Sequence, residues 1–101
     1  RHSSTTPQSR LHPTHQGFNW IELTKPLPCE HVITKHVNSG FIGTDLQQQL
    51  TKAGIDTLVL VGLTTNHCVS TTARMAANLG FTTFVVSDGT ATFDRMGATG
   101  E

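Results

Sequence analysis

The chain has 101 residues, 36% of them hydrophobic and 14% charged, and seven basic residues balance seven acidic ones. This composition is typical of one modest globular domain. Lysine and arginine form no cluster, so we expect no nucleic-acid partner and no membrane-surface binding. No apolar run approaches the roughly 20 residues of a membrane span, and the first residues lack the apolar centre of a secretion signal. We therefore expect a cytoplasmic protein.

The first 30 residues are polar and rich in turn formers, and they contain all four prolines. Such a stretch predicts a long irregular segment. It includes the pair His12 and His15, three positions apart. Two histidines with no carboxylate close by do not make a metal site, so we expect neither a metal ion nor a cofactor.

From His31 the pattern becomes that of regular secondary structure. Residues 31–35 form a short β-branched run, which predicts a strand. A helix is predicted over residues 45–53, because Thr44 and Gln47 fit a capping box at its start and a glycine follows its end.

The apolar run at residues 57–62 predicts a strand buried on both faces, as in parallel sheets. A second helix is predicted from an Asn66 N-cap to Gly80, and residues 81–88 predict another strand. The order β-α-β-α-β over residues 31–88 indicates an α/β fold, a parallel sheet with flanking helices.

We expect this sheet to be incomplete. Two helices cover one face, whereas a doubly wound sheet needs helices on both. After Asp88 the chain is rich in glycine and threonine and reaches Glu101 with no closing helix. Residues 1–101 are therefore interpreted as a single partial domain.

Chemistry in open α/β sheets gathers at the carboxyl ends of the strands, where Lys35, Cys68 and Asp88 are predicted to lie. Cys68 falls in the predicted first helical turn. Unpaired helix N–H groups stabilise a thiolate there and offer donors to an oxyanion. A thiolate is a strong nucleophile toward carbonyl carbon.

Simpler interpretations stay open for each residue. A lone cysteine is often a small buried hydrophobe, a strand-end lysine is often solvated, and Asp88 before a glycine suits a turn. His67 adjoins Cys68, but neighbouring side chains on a helix point apart, so a pocket-rim or packing role fits better than a general base. A disulfide between Cys29 and Cys68 is not expected, since α/β patterns go with reduced proteins.

The segments "ITKHVNSGFIGTDL", "VLVGLTTNHCVSTTARMAANLGF" and "VVSDGTATF", in this order, resemble the isochorismatase-like cysteine hydrolases. The resemblance covers almost the whole chain. It implies a Rossmann-like three-layer fold with a parallel sheet, a catalytic triad of Asp, Lys and Cys, and frequent oligomers.

By motif, the resemblance implies that Cys68 is the nucleophile and Lys35 the lysine of that triad. It also implies a cis peptide bond at Leu63–Thr64 that turns the N–H groups of Thr64 and Cys68 toward an oxyanion. The family's aspartate ends a first strand for which no matching run exists here. We expect Phe41, His67 and Trp20 to line the pocket and bind substrate.

The expected function is hydrolysis of a small amide or related substrate through a cysteine nucleophile, with little activity for this stretch alone. Nicotinamidase-like relatives carry an aspartate beside their metal-binding histidines, and none stands near His12 or His15. The resemblance thus favours a metal-free member. One alternative is a non-catalytic fragment or pseudoenzyme that serves as a binding or oligomerisation module. Another is a redox-sensing thiol, which would need Cys29 close to Cys68.

Overall fold

The computed structural model describes residues 1–92 of the chain. Its regular elements in this range are two helices and two strands, α1 (Leu46–Lys52), β1 (Thr57–Leu63), α2 (Ser70–Asn78) and β2 (Thr82–Ala91). β1 and β2 pair in parallel, with Thr57 opposite Thr82 and Leu60 opposite Val85. The expected α/β class with a parallel sheet is confirmed.

α1 lies within one residue of its predicted bounds at each end. The predicted capping box is wrong, because Asp45 occupies the N-cap and makes no side-chain capping bond. The Thr44 hydroxyl instead donates to the Gly40 carbonyl at 2.5 Å and accepts the Leu46 N–H at 3.4 Å. Gly54 follows the helix at φ +73°, where a side chain would be strained.

A π-helical turn, Thr65–Val69, stands between β1 and α2. The predicted Asn66 cap is therefore wrong, since Asn66 lies inside this turn. Its side-chain oxygen accepts a hydrogen bond from the Thr92 hydroxyl at 2.8 Å. Such turns occur mostly as single interruptions of helices and frequently at functional sites.

The predicted strand at residues 31–35 is reduced to one parallel bridge between Lys35 and His2. The Lys35 N–H donates to the Arg1 carbonyl at 2.9 Å, and the Ser3 N–H donates to the Lys35 carbonyl at 2.8 Å. A strand extends only as far as a neighbour pairs with it. Here the pairing is limited to the bridge between His2 and Lys35, so no ladder forms along the β-branched run. The rest of residues 1–30 is irregular apart from one 3₁₀ turn, Gln16–Phe18.

β2 is longer than predicted and carries an irregularity. Leu60 faces Val85, but Gly62 faces Thr90, so residues 86–89 bulge out of register. A Cβ atom on Gly89 would approach a methyl carbon of Val61 to 2.9 Å, which explains the glycine. Exposed Asp88 lies in this bulge. The sequence predicts no closing helix after Asp88. Residues from position 93 onward lie outside the described range.

The core beneath the sheet is small. Among the described residues, its buried hydrophobic side chains are Phe41, Val69 and Ala76. The rings of Phe41 and Phe81 stack with centroids 6.0 Å apart. Every second side chain of β1 is exposed, and Val61 retains 64% of its accessible surface. Within residues 1–92 no helix is both long and apolar enough to cross a membrane.

Candidate active site

Lys35 and Cys68 meet although 33 positions separate them in the chain. The Lys35 Nζ lies 3.2 Å from the Cys68 Sγ. The same ammonium donates to the Val37 carbonyl at 2.8 Å and lies 3.2 Å from the Nδ1 of His2. An ammonium has three N–H bonds, so these three contacts account for all of its donors.

Cys68 is half-buried in the π-helical turn that follows β1. Its Sγ also lies 3.8 Å from the side-chain oxygen of Asn38. The Leu63–Thr64 peptide bond, at the junction of β1 and the turn, is cis. The Thr64 carbonyl accepts the N–H groups of His67 and Val69, which fixes the start of the turn.

His2 reaches Lys35 because the chain start pairs with residues 33–36. The amino group of Arg1 donates to the Ile33 carbonyl at 2.7 Å, and the Nδ1 of His36 donates to the Ser3 carbonyl at 2.6 Å. Burial lowers the pKa of His2 from its usual 6.5, and the positive charge of Lys35 lowers that pKa further, with the Val37 carbonyl opposing.

A cavity of about 520 Å³ opens beside these residues. Its walls come from the first residues of the chain, the segment before Lys35, α1, the end of β1 and the start of α2. The residues of the polar end are Arg1, His2, Lys35, Cys68 and Thr72, and those of the apolar wall include Ile33, Leu46, Leu50, Ile55, Leu60 and Leu63. A mostly apolar cleft with a few convergent polar groups is the usual form of a small-molecule site.

The residues expected to bind substrate lie apart from this cavity lining. Phe41 is buried in the core against Phe81. Trp20 faces the guanidinium of Arg1, whose central carbon lies 3.8 Å from the Trp20 ring. His67 is half-buried in the π-helical turn. Lys35, Cys68 and Leu63 are among the residues that line the cavity. Thr64 and the three aromatic residues are not among them, so their assignment to the site stays a prediction.

The remaining histidines make local contacts. His12 and Thr14 pair through Nδ1 and Oγ1 at 2.8 Å, and the Nε2 of His15 donates to the Pro7 carbonyl at 2.8 Å. Within residues 1–92, no three His, Cys, Asp or Glu side chains gather as a metal site would require. Cys29 is exposed, and both it and Cys68 are free thiols.

Two site residues were missed by sequence reasoning. Asn38 stands in the loop three residues after Lys35, and its closeness to a motif lysine is a signal that was available. His2 has no local signal, because its neighbours are polar and its partner lies 33 residues away. Only the pairing of the chain start with the Lys35 segment places this imidazole at the site.

Comparison with known proteins identifies the family. Residues 2–99 match the Isochorismatase domain family. The isochorismatase family protein YrdC of Bacillus subtilis is 53% identical over 93 residues, which are 92% of this chain and 50% of that protein. The chain thus spans about half the length of the relatives it matches.

Solved structures give the same result. A hydrolase of the isochorismatase family from Chromobacterium violaceum superposes with a TM-score of 0.91 at 40% identity, over 100% of this chain and 52% of that one. N-carbamoylsarcosine amidase from Thermoplasma acidophilum superposes with a TM-score of 0.81 at 31% identity, over 93% of this chain and 58% of that one. The chain belongs to the isochorismatase family.

Proposed function

We propose that this chain carries the nucleophile and the lysine of a cysteine hydrolase that cleaves a small amide. Cys68 is the nucleophile and Lys35 the cation that stabilises it. The observation that carries the proposal is the 3.2 Å contact between the Lys35 Nζ and the Cys68 Sγ at the wall of the cavity.

The contact matters because a thiolate, unlike a thiol, attacks a carbonyl carbon readily. An ammonium at hydrogen-bond distance favours the thiolate form by charge and by N–H donation. Cys68 also lies where the chain enters a helical run, so the positive partial charge of the helix start acts in the same direction.

The proposed reaction has two stages. The Cys68 thiolate attacks the amide carbon, the C–N bond breaks, and the amine leaves with the proton that the thiol gave up. Water then cleaves the thioester, which releases a carboxylic acid and restores the thiol. The N–H groups of Thr64 and Cys68 are the proposed donors to the oxyanion.

The proton transfer between the thiol and the leaving amine needs a group other than Lys35 and Cys68. Within the described range, the groups at hydrogen-bond distance from the Lys35 ammonium and the Cys68 thiol belong, besides these two residues, to His2, Val37 and Asn38, and none of them is a carboxylate. In the isochorismatase-like cysteine hydrolases, which this chain resembles, an aspartate carries the proton between the thiol and the leaving amine. We propose this activity for a complete domain of the family; the chain spans about half the length of the relatives it matches.

The amide class rests on a relative and on cavity size. A similar structure is that of N-carbamoylsarcosine amidase. The cavity of about 520 Å³ lies within the range typical of small-molecule sites. Its mostly apolar wall and single cationic end suit a compact, weakly polar substrate better than a polymer.

The test compares two thiols in the same protein. Cys29 is exposed and serves as the ordinary thiol, whereas Cys68 is half-buried. At neutral pH we expect iodoacetamide to modify Cys68 faster than Cys29, as measured by peptide mass spectrometry, and we expect Cys68→Ala to remove amidase activity from the whole protein. Slower modification of Cys68 than of Cys29, or activity retained by the alanine variant, would contradict the proposal.

A non-catalytic oligomerisation module is the second candidate. The exposed side of β1 favours it, since Val59, Val61 and Leu63 keep 64%, 64% and 67% of their accessible surface. Contiguous exposed apolar side chains commonly mark interaction surfaces. Sedimentation velocity on the native chain and on Val59→Lys, a change outside the cavity lining, distinguishes the candidates: a dimer lost in the variant, with an unreactive Cys68, supports the module.

A further inference from the structure

We propose that His2 is a positioning residue, which holds the Lys35 ammonium against Cys68 by accepting one of its three N–H bonds. The proposal rests on the proposed function of the Lys35–Cys68 pair. It adds a third side chain to that pair and assigns the role of that side chain to one atom, the Nδ1 of His2.

The donor count of Lys35 is the first argument. Its ammonium contacts the Val37 carbonyl at 2.8 Å, the Nδ1 of His2 at 3.2 Å and the Cys68 Sγ at 3.2 Å. Two acceptors other than sulfur fix the orientation of the ammonium, so the third N–H points at the thiol. With one acceptor missing, the flexible lysine side chain would have other orientations available and would spend less time directed at sulfur.

The second argument is the rigidity of the support. His2 lies in the parallel bridge with Lys35, whose main chain is bonded to both neighbours of His2. The two side chains therefore leave adjacent positions on one short ladder. Ser3, the next residue, is 6% exposed, and its carbonyl accepts the Nδ1 of His36. A side chain carried by such a pair of bonded segments is better placed to orient a neighbour than one on a free loop.

The third argument is the protonation state that the contact requires. A lysine ammonium can only donate, so the Nδ1 of His2 must be unprotonated and the ring proton must lie on Nε2. The charged groups that face His2 are Lys35, His36 and the amino group of Arg1, all of which disfavour a second proton on the ring. Burial is the largest cause and lowers the pKa of His2 in the same direction, with the Val37 carbonyl opposing, so the ring carries one proton at neutral pH and has one nitrogen free to accept.

The experiment measures how fast iodoacetamide modifies Cys68 from about pH 5 to pH 9. A Cys29→Ser background leaves one thiol. His2→Phe removes the acceptor, whereas His2→Asn places an amide oxygen near the position of Nδ1. His12→Phe, which removes an imidazole far along the irregular segment, is the matched control. Each change at His2 is also made together with Lys35→Met.

We expect His2→Phe to slow the reaction about threefold at neutral pH, and His2→Asn and His12→Phe to leave it near the native rate. Lys35→Met should slow it roughly tenfold. In the Lys35→Met background, His2→Phe should have no further effect, because its action passes through the ammonium. A purely structural role of His2 would instead give the same slowing in both backgrounds, and that result would overturn the proposal.

The outcomes separate this proposal from the proposed function. If Lys35→Met slows the reaction but His2→Phe does not, or if His2→Asn is as slow as His2→Phe, the positioning role is wrong and the proposed function stands. If Lys35→Met has no effect, both are wrong. Nitrogen NMR of the native chain gives a test without mutation: a proton on the Nδ1 of His2 at neutral pH would also overturn the positioning role.

Discussion

The Lys35 Nζ lies 3.2 Å from the Cys68 Sγ, and the two residues are 33 positions apart in the chain. Lys35 is carried by a segment bonded to the chain start, and Cys68 by the turn between β1 and α2. Both residues line the cavity.

Replacing Lys35 should change the reactivity of Cys68 without unfolding the chain. Lys35→Met removes the charge, and we expect alkylation of Cys68 at neutral pH to slow roughly tenfold. Lys35→Arg keeps the charge but not the compact three-donor head, so an intermediate rate is expected. Lys52→Met, on exposed α1, is the control and should leave the rate unchanged. Equal rates for Lys35→Met and Lys52→Met would show that the contact has no effect on the thiol.

The stability of the chain should depend on the protonation of His2. Because the pKa of His2 is lowered from 6.5 in the fold, the unfolded chain binds more protons in the window below pH 6.5. The contribution of His2 is therefore complete above pH 6.5 and is lost as pH falls through its lowered pKa. Urea unfolding followed by Trp20 fluorescence should show a falling free energy of unfolding in that window.

His2→Asn is the comparison for this measurement, since it does not titrate there. The amino group of Arg1, whose pKa is lowered from 8.0 mainly by burial, changes stability with the same sign up to pH 8.0. It is present in both proteins, so their difference reports His2 together with its interaction with this amino group. An identical pH dependence in the native chain and in His2→Asn would rule out the linkage.

The stability of the loop after Lys35 should depend on the hydroxyl group of Thr72 in α2. The Gly40 N–H donates to the Thr72 Oγ1 at 3.0 Å, which ties this loop to the helix that follows Cys68. Thr72→Val keeps the shape but leaves the amide without its acceptor, and we expect a loss of about 1 kcal/mol in the free energy of unfolding. Thr72→Ser retains the hydroxyl and should lose much less. A larger loss for Thr72→Ser than for Thr72→Val would mean that the methyl group, not the hydrogen bond, stabilises the loop.

Phe41 should contribute to the stability of the fold and have no effect on the reactivity of the Cys68 thiol. It is 9% exposed and stacks on Phe81. Phe41→Leu should lower the free energy of unfolding by about 1–3 kcal/mol, because it removes the stack and leaves space in a small core. The control is Phe84→Leu, at a side chain that is 57% exposed, with an expected change within about 0.5 kcal/mol. We expect Cys68 to be alkylated at the native rate in the folded Phe41→Leu variant. A slower rate would indicate that Phe41 contributes to the site.

Local patterns predicted much of this fold because they act over a few residues. The apolar run at residues 57–62 became β1 to within one residue, and the glycines after α1 and α2 adopt positive φ as helix ends require. Caps were less predictable, since Thr44 and Asn66 found partners outside the capping geometry. A short polar side chain has several acceptors in reach, and the sequence does not rank them.

The sequence by itself determined that a cysteine stands where an apolar strand leads into a helix and that a lysine ends a β-branched run. Motif resemblance added their shared role. Only the tertiary structure decided that residues 31–35 form a bridge instead of a strand, and that His2 lies 3.2 Å from Lys35. The physical reason is the distance along the chain over which each interaction acts. Periodicity encodes which face of an element is apolar, but a strand and a three-donor ammonium both need partners that arrive from distant parts of the chain.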